Sequence, residues 1–266
     1  MNKKICIVQL ADSNYYQDRK NCVDSVRKYC VEHNIEWDGL VGTLNKETHI
    51  AYQKPLALMR KIEDYDYVGW IDMDIAIANK GFDLHAYLDS KKSDVVICRD
   101  PSFFNNDTAN SGVVFFRNTD ISKQILQEWW DSRVPGTDKH WRHQYKGASG
   151  DADQHFLNTI LKKYNIVAQD PHDLNIHPKN FKVGDFAIHF MGHKPIDFDR
   201  FVEHANKHIS KQELLEKYWM VYGFQSWNLI DRFYEEGRQN LMSTNKYNPE
   251  DILAAAEKLV DIEVPH

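Results

Sequence analysis

No stretch of about 18 consecutive apolar residues, the length a membrane-spanning helix needs, occurs in the 266-residue sequence, so no transmembrane anchor is expected. Lys3 and Lys4 precede only the short apolar stretch Ile5 to Leu10, and Asp12 ends it without a small-residue cleavage site, so a secretory signal is not expected either. Basic surplus is also missing: 33 Lys and Arg face 39 Asp and Glu, a formal charge of -6, which argues against a nucleic-acid partner whose phosphates would need neutralising. The four cysteines, Cys6, Cys22, Cys30 and Cys98, form no CxxC pair and no disulfide or zinc framework; they read as reduced and mostly buried. These absences point to a protein of a reducing compartment, with the cytoplasm as the expected location. What is present is ordinary globular material: 42% hydrophobic and 27% charged residues are enough to build a core and too balanced for a disordered chain.

Hydrophobic patterning alternates between strand and helix. Ile5 to Leu10 reads as a buried strand, and Cys22 to His33 as a helix with apolar positions at Cys22, Val23, Val26, Tyr29 and Cys30. Leu40 to Leu44 reads as a second strand, Ala51 to Ile62 as a helix, and Tyr67 to Ile71 as an aromatic and β-branched strand. Further strands are expected at Asp94 to Cys98, Gly112 to Arg117, Ile166 to Ala168 and Phe186 to Phe190, with helices at Ile121 to Trp130 and Asp153 to Lys163. This alternation predicts an α/β body with a mostly parallel sheet flanked by helices, over residues 1–197. Residues 198–266 read as a helical extension. Its aromatic helix, with Leu214, Leu215, Tyr218, Trp219 and Tyr222, is expected to pack on the body, with a homodimer or a membrane surface as the alternatives.

Chemistry concentrates where a strand ends. Asp72 and Asp74 form an Asp-x-Asp pair directly after the strand Tyr67 to Ile71, and ligands in open α/β sheets bind outside the carboxyl ends of strands. Two carboxylates so close repel unless a cation compensates, and hard oxygen ligands suit Mg²⁺ or Mn²⁺ holding a diphosphate. Asp151, Asp153 and Gln154 open a helix after Gly150, near its positive end; simple helix capping by Asp151 is the bland alternative. Asn110 and Ser111 before Gly112 read equally well as turn chemistry, and His189 inside an apolar strand as an ordinary core histidine.

Four blocks in order, YVGWIDMDIAIAN at 67–79, NSGVVFFRN at 110–118, GDADQHFLN at 150–158 and HFMGHKP at 189–195, resemble the metal-dependent glycosyltransferases of GT-A fold. Glycosyltransferase family 34, with its galactosyl-, mannosyl- and xylosyltransferases, is the nearest in pattern. The likeness departs at Gly192-His193-Lys194, where that family usually has Gly-Cys-Lys.

The resemblance implies a GT-A catalytic domain that moves a sugar from a nucleoside-diphosphate sugar, UDP- or GDP-linked, to a carbohydrate acceptor hydroxyl with retention of configuration, although Asp151 or Asp153 could act as the carboxylate base that inversion needs. It places Asp72 and Asp74 on the metal and the ribose-diphosphate side, with His189 as third metal ligand; imidazole suits Mn²⁺ better than Mg²⁺. Lys194 would neutralise the departing diphosphate. Asp151, Asp153 and Gln154 would contact the transferred sugar, and Asn110 and Ser111 would lie beside donor and acceptor. Ala11, Asp12 and Ser13 would hold the nucleotide base, with Tyr52 and Lys54 near base and phosphates. Two other readings share parts of this pattern: a sugar-phosphate nucleotidyltransferase, which lacks its glycine-rich loop here because Ala11 to Tyr16 contains no glycine, and a catalytically silent carbohydrate-binding protein.

Overall fold

The computed structural model describes residues 3–48, 50–100, 108–132, 152–177, 180–182 and 184–190. The extension at 198–266, Asp151 and the Gly192-His193-Lys194 segment lie outside the described residues. So does the domain boundary at 197.

A five-stranded mixed sheet forms the centre, in the order β2-β1-β3-β6-β5. Strands β1 (Ile5–Ala11), β2 (Glu36–Val41) and β3 (Tyr67–Ile71) are parallel neighbours. Strand β6 (Ala109–Arg117) runs antiparallel to both β3 and β5 (Val95–Arg99), so four of the five strands share one direction. Every residue of β1 and β3 is buried, as expected for central strands covered on both faces.

Period-two alternation divides the core. Ile5 and Ile7 of β1, with Val113 and Phe115 of β6, join the layer beneath α2 (Lys20–Glu32) and α4 (Leu84–Ser90). Cys6, Val8 and Leu10, with Val114 and Phe116, join the opposite layer under α3 (Lys54–Met59), α5 (Asp120–Asp131) and α6 (Ala152–Lys163). Helix α2 buries Cys22, Val23, Val26, Tyr29 and Cys30, the five positions its spacing selects. Gly69 of β3 pairs with Phe115, whose ring occupies the space a Cβ would need, so a glycine sits inside a central strand.

Three expectations shift. The strand expected at Leu40 to Leu44 runs instead over Glu36–Val41, at the sheet edge, where partial exposure erases the apolar pattern. Ile166 to Ala168 forms no strand; only Gln169 bridges to Cys98 beside it. The single helix expected from Ala51 to Ile62 is a 3-10 turn, Ile50–Gln53, followed by the shorter α3, whose Pro55 suits a first helical turn because it has no N–H to satisfy there.

Candidate active site

Strand β3 ends at Ile71, and Asp72-Met73-Asp74 forms the turn into a three-residue strand, β4 (Ile75–Ile77). Strand β4 pairs antiparallel with β7 (Ala187–His189), with Ile75 opposite His189. The N–H of Phe190 donates to the carbonyl of Asp74 at 2.9 Å, which locks the register. Backbone pairing therefore brings together an acidic pair and a histidine that are more than a hundred residues apart in sequence. His189 Nε2 lies 3.3 Å from Asp74 Oδ1 and 4.0 Å from Asp72 Oδ2.

Strand β6 passes beneath. The N–H of Asp72 donates to Gly112 O at 2.8 Å, and the imidazole of His189 packs on Gly112, where a Cβ would stand 2.5 Å from His189 Cε1. Among the described residues these three side chains form a cluster that could hold a metal ion, with candidate ligand atoms all within 4.8 Å of one another.

Asp74 Oδ1 is buried and makes no well-aligned hydrogen bond, a condition that a bound cation relieves. Two carboxylates and one imidazole suit a divalent ion of borderline hardness. Burial opposes the charge of Asp74, yet His189 and the phenol of Tyr15 outweigh it and hold the carboxyl down at about 2. Asp72 moves the other way, pushed up by burial and by the charge of Asp74 against the pull of Lys54. Burial also disfavours charge on His189, but Asp74 and Asp72 raise its pKa above the ordinary histidine value.

Lys54, at the start of α3, lies 3.0 Å from Asp72 Oδ1 and 3.2 Å from Asp153 Oδ2, at the start of α6. It bridges the two acidic groups, and their charges keep its pKa raised despite burial. Ser111 Oγ donates to Asp153 at 3.2 Å. Gln154 is buried: its Oε1 accepts from the N–H of Ser111 at 3.1 Å, and its Nε2 donates to Asp100 at 3.1 Å. Asn110 Oδ1 accepts from the N–H of Gly112 at 2.9 Å.

A profile of the nucleotide-diphospho-sugar transferases matches residues 57–221, more than half of the sequence and inclusive of Asp72, Asp74, Asp153, Gln154, His189 and Lys194. The chain belongs to this family. The transferase is similar in fold to a glycosyltransferase involved in glycosylation of the major capsid of the virus PBCV-1, at TM-score 0.56 and 15% identity, covering 75% of this chain and 98% of that one. It is also similar to the glycosyltransferase GlyE of Streptococcus pneumoniae TIGR4, at TM-score 0.51 and 12% identity, covering 88% of this chain and 64% of that one. At such identities the likeness concerns the fold, which is the GT-A fold expected from the sequence. No curated protein matches the transferase in sequence. The family membership makes it a glycosyltransferase rather than a sugar-phosphate nucleotidyltransferase. No helix of the described residues is long and apolar enough to cross a membrane.

Most candidate residues of the transferase converge: Asp72, Asp74, His189, Lys54, Asn110, Ser111, Asp153 and Gln154 meet around the carboxyl end of β3. Others sit at its margin. Ala11 is buried at the end of β1, and Asp12 is the N-cap of α1 (Ser13–Asp18), accepting from the N–H of Tyr15 at 2.9 Å. Tyr52 is buried in the 3-10 turn next to Lys54.

The sequence reading missed Tyr15, whose phenol reaches Asp74, and Gln9, whose Nε2 donates to Ile71 O at 3.1 Å beneath the acidic turn. It also missed Trp70, whose indole N–H donates to Asp72 Oδ1 at 2.6 Å. Tyr15 lies two residues past the Ala11 to Ser13 segment already singled out, so its neighbourhood was a usable signal. Lone polar residues such as Gln9 carry none.

Proposed function

We propose that this transferase moves a hexose or pentose from a UDP- or GDP-sugar to a carbohydrate hydroxyl, retaining the anomeric configuration, with a divalent cation, Mn²⁺ rather than Mg²⁺, held by Asp72, Asp74 and His189. The observation that carries the reading is the cluster of Asp72, Asp74 and His189 at the carboxyl end of β3, with candidate ligand atoms within 4.8 Å of one another and Asp74 Oδ1 buried 3.3 Å from His189 Nε2. A cation bound there supplies positive charge to the diphosphate leaving group. Lys194 completes that neutralisation in this reading, and Lys54 orients Asp72 and Asp153 around the donor. Ala11, Asp12, Ser13 and Tyr52 belong to the nucleotide side, and Asn110, Ser111, Asp151, Asp153 and Gln154 to the sugar side.

Retention fits the state of Asp153, the sugar-side carboxylate among the described residues. An inverting enzyme needs a carboxylate free to take the acceptor proton, whereas Asp153 is engaged by Lys54 at 3.2 Å and by the hydroxyl of Ser111 at 3.2 Å. The amide of Gln154 is no base and is tied at both ends. Residues 1–197 form the catalytic unit in this reading, and the helices beyond pack on it.

A panel of UDP- and GDP-sugars screened by thermal shift and by donor hydrolysis tests the proposal. At least one donor is expected to stabilise the protein in the presence of Mn²⁺ but not of EDTA, to be slowly hydrolysed, and to lose both effects in Asp74→Asn. Equal stabilisation in EDTA would remove the metal from the reading, and an inverted anomer in the product spectrum would remove retention.

A further inference from the structure

Behind the metal-side histidine lies a fully buried amide that the transfer chemistry does not use. Asn175 follows the short helix α7 (Pro171–Leu174) and is 0% exposed. Backbone pairing holds it against β7: the N–H of Ile176 donates to Ala187 O at 3.1 Å, and the N–H of His189 donates to Ile176 O at 2.9 Å. Asn175 Oδ1 stands 3.0 Å from His189 Nδ1, and its Nδ2 stands 2.8 Å from Asn110 Oδ1.

The direction of these bonds follows from one fixed point. The backbone N–H of Gly112 can only donate, so the Asn110 atom that it meets at 2.9 Å is the oxygen. The Asn175 atom facing that oxygen is therefore the NH₂, and the atom facing His189 is the carbonyl oxygen. A carbonyl oxygen only accepts, so His189 Nδ1 carries a proton, and Nε2 is left as the nitrogen that turns to Asp74 and Asp72.

We propose that Asn175, held by Asn110, is a positioning residue that fixes the ring of His189 with Nδ1 protonated, so that Nε2 is the atom presented to the divalent cation. The inference rests on the metal reading given above. It adds that a ligand's partner, itself remote from the cation, sets both its tautomer and its ring plane, an arrangement whose loss typically weakens metal affinity about 10–100-fold.

Mn²⁺ titration followed by electron paramagnetic resonance, on wild type, Asn175→Ala, His189→Ala and the double variant, tests it. Asn175→Ala is expected to weaken Mn²⁺ binding by about 10–100-fold, and to add nothing further once His189 is already alanine, since both changes act through one ligand. Where Asn175→Ala does not fold by circular dichroism, Asn175→Ser takes its place. In wild type loaded with diamagnetic Cd²⁺, nitrogen-15 spectra should show His189 protonated at Nδ1, with that proton sheltered from exchange. Unchanged affinity in Asn175→Ala beside weakened affinity in His189→Ala overturns the positioning role alone. Unchanged affinity in His189→Ala overturns it together with the metal reading. Cadmium on Nδ1 of wild type overturns it without any variant.

Discussion

Replacing Lys54 by methionine removes a cation while keeping most of the side-chain volume, and the consequence can be worked from the geometry. The ammonium stands 3.0 Å from Asp72 and 3.2 Å from Asp153, and the side chains of the three are 10%, 24% and 13% exposed. Breaking a buried ion pair costs about 3–5 kcal/mol, chiefly because the partner is left buried and unpaired. Here Asp72 is a quarter exposed and keeps its indole donor from Trp70, so the lower end, about 3 kcal/mol, applies. For a chain of this length about 1 kcal/mol moves the melting temperature by roughly 2–4 °C, which gives a fall of roughly 6–12 °C. Mn²⁺ should recover part of this, because Asp72 gains a new positive neighbour, so the Mn²⁺-induced shift should be larger in Lys54→Met than in wild type. Differential scanning fluorimetry with EDTA and with Mn²⁺ measures both quantities. A fall below about 2 °C in EDTA, less than 1 kcal/mol, would show that Lys54 is solvated rather than a buried counterion and would refute the reasoning.

Gly112→Ala should push the ring of His189 aside, since the new Cβ would stand 2.5 Å from Cε1, 2.8 Å from Nδ1 and 2.8 Å from Asn110 Oδ1. Overpacking of this kind costs about 1–3 kcal/mol, and a parallel loss of Mn²⁺ affinity is expected; wild-type melting and wild-type Mn²⁺ binding together would contradict the contact. The buried thiols set an alkaline limit. Burial pushes Cys6 and Cys30 from an ordinary value of 9.0 up to about 12, and it raises Cys98 as well. A raised folded pKa contributes stability that is fully present below the unfolded pKa, so denaturant midpoints should hold up to about pH 9 and fall between about pH 9 and 12, by up to about 1.4 kcal/mol per pH unit and thiol. The same burial should keep native cysteines unreactive to a thiol reagent at neutral pH, and rapid labelling of more than one thiol in the folded protein would contradict it.

Sequence legibility followed burial. Strands β1 and β3 were readable as short continuous apolar runs, the mark of strands covered on both faces, and helix α2 because its apolar residues repeat at the helical period. Strand β2 was misplaced because an edge strand with the sequence Glu36 to Val41 has no apolar run, while Leu44 belongs to a loop tied down by the buried amide of Gln53, which accepts from its N–H at 2.7 Å. Strand β4 was invisible, being three residues whose partner is β7, more than a hundred residues later. The site divides the same way. Asp72 and Asp74 announce themselves as a motif at a strand end, whereas Asn175 and Gln9 act through hydrogen bonds that only the tertiary pairing of strands creates, and Trp70 through a bond to Asp72 two residues on.

The central claim is that Asp72, Asp74 and His189 hold a divalent cation through which a nucleoside diphosphate is bound. Isothermal titration of UDP and GDP into the wild-type protein, with Mn²⁺ and with EDTA, tests it most directly. The account predicts that one of the two nucleotides binds at least about tenfold more tightly with Mn²⁺, about 1.4 kcal/mol, and that Asp74→Asn abolishes the difference while the fold is retained. Equal affinity with Mn²⁺ and EDTA in wild type, or a Mn²⁺ effect that survives Asp74→Asn, would contradict it.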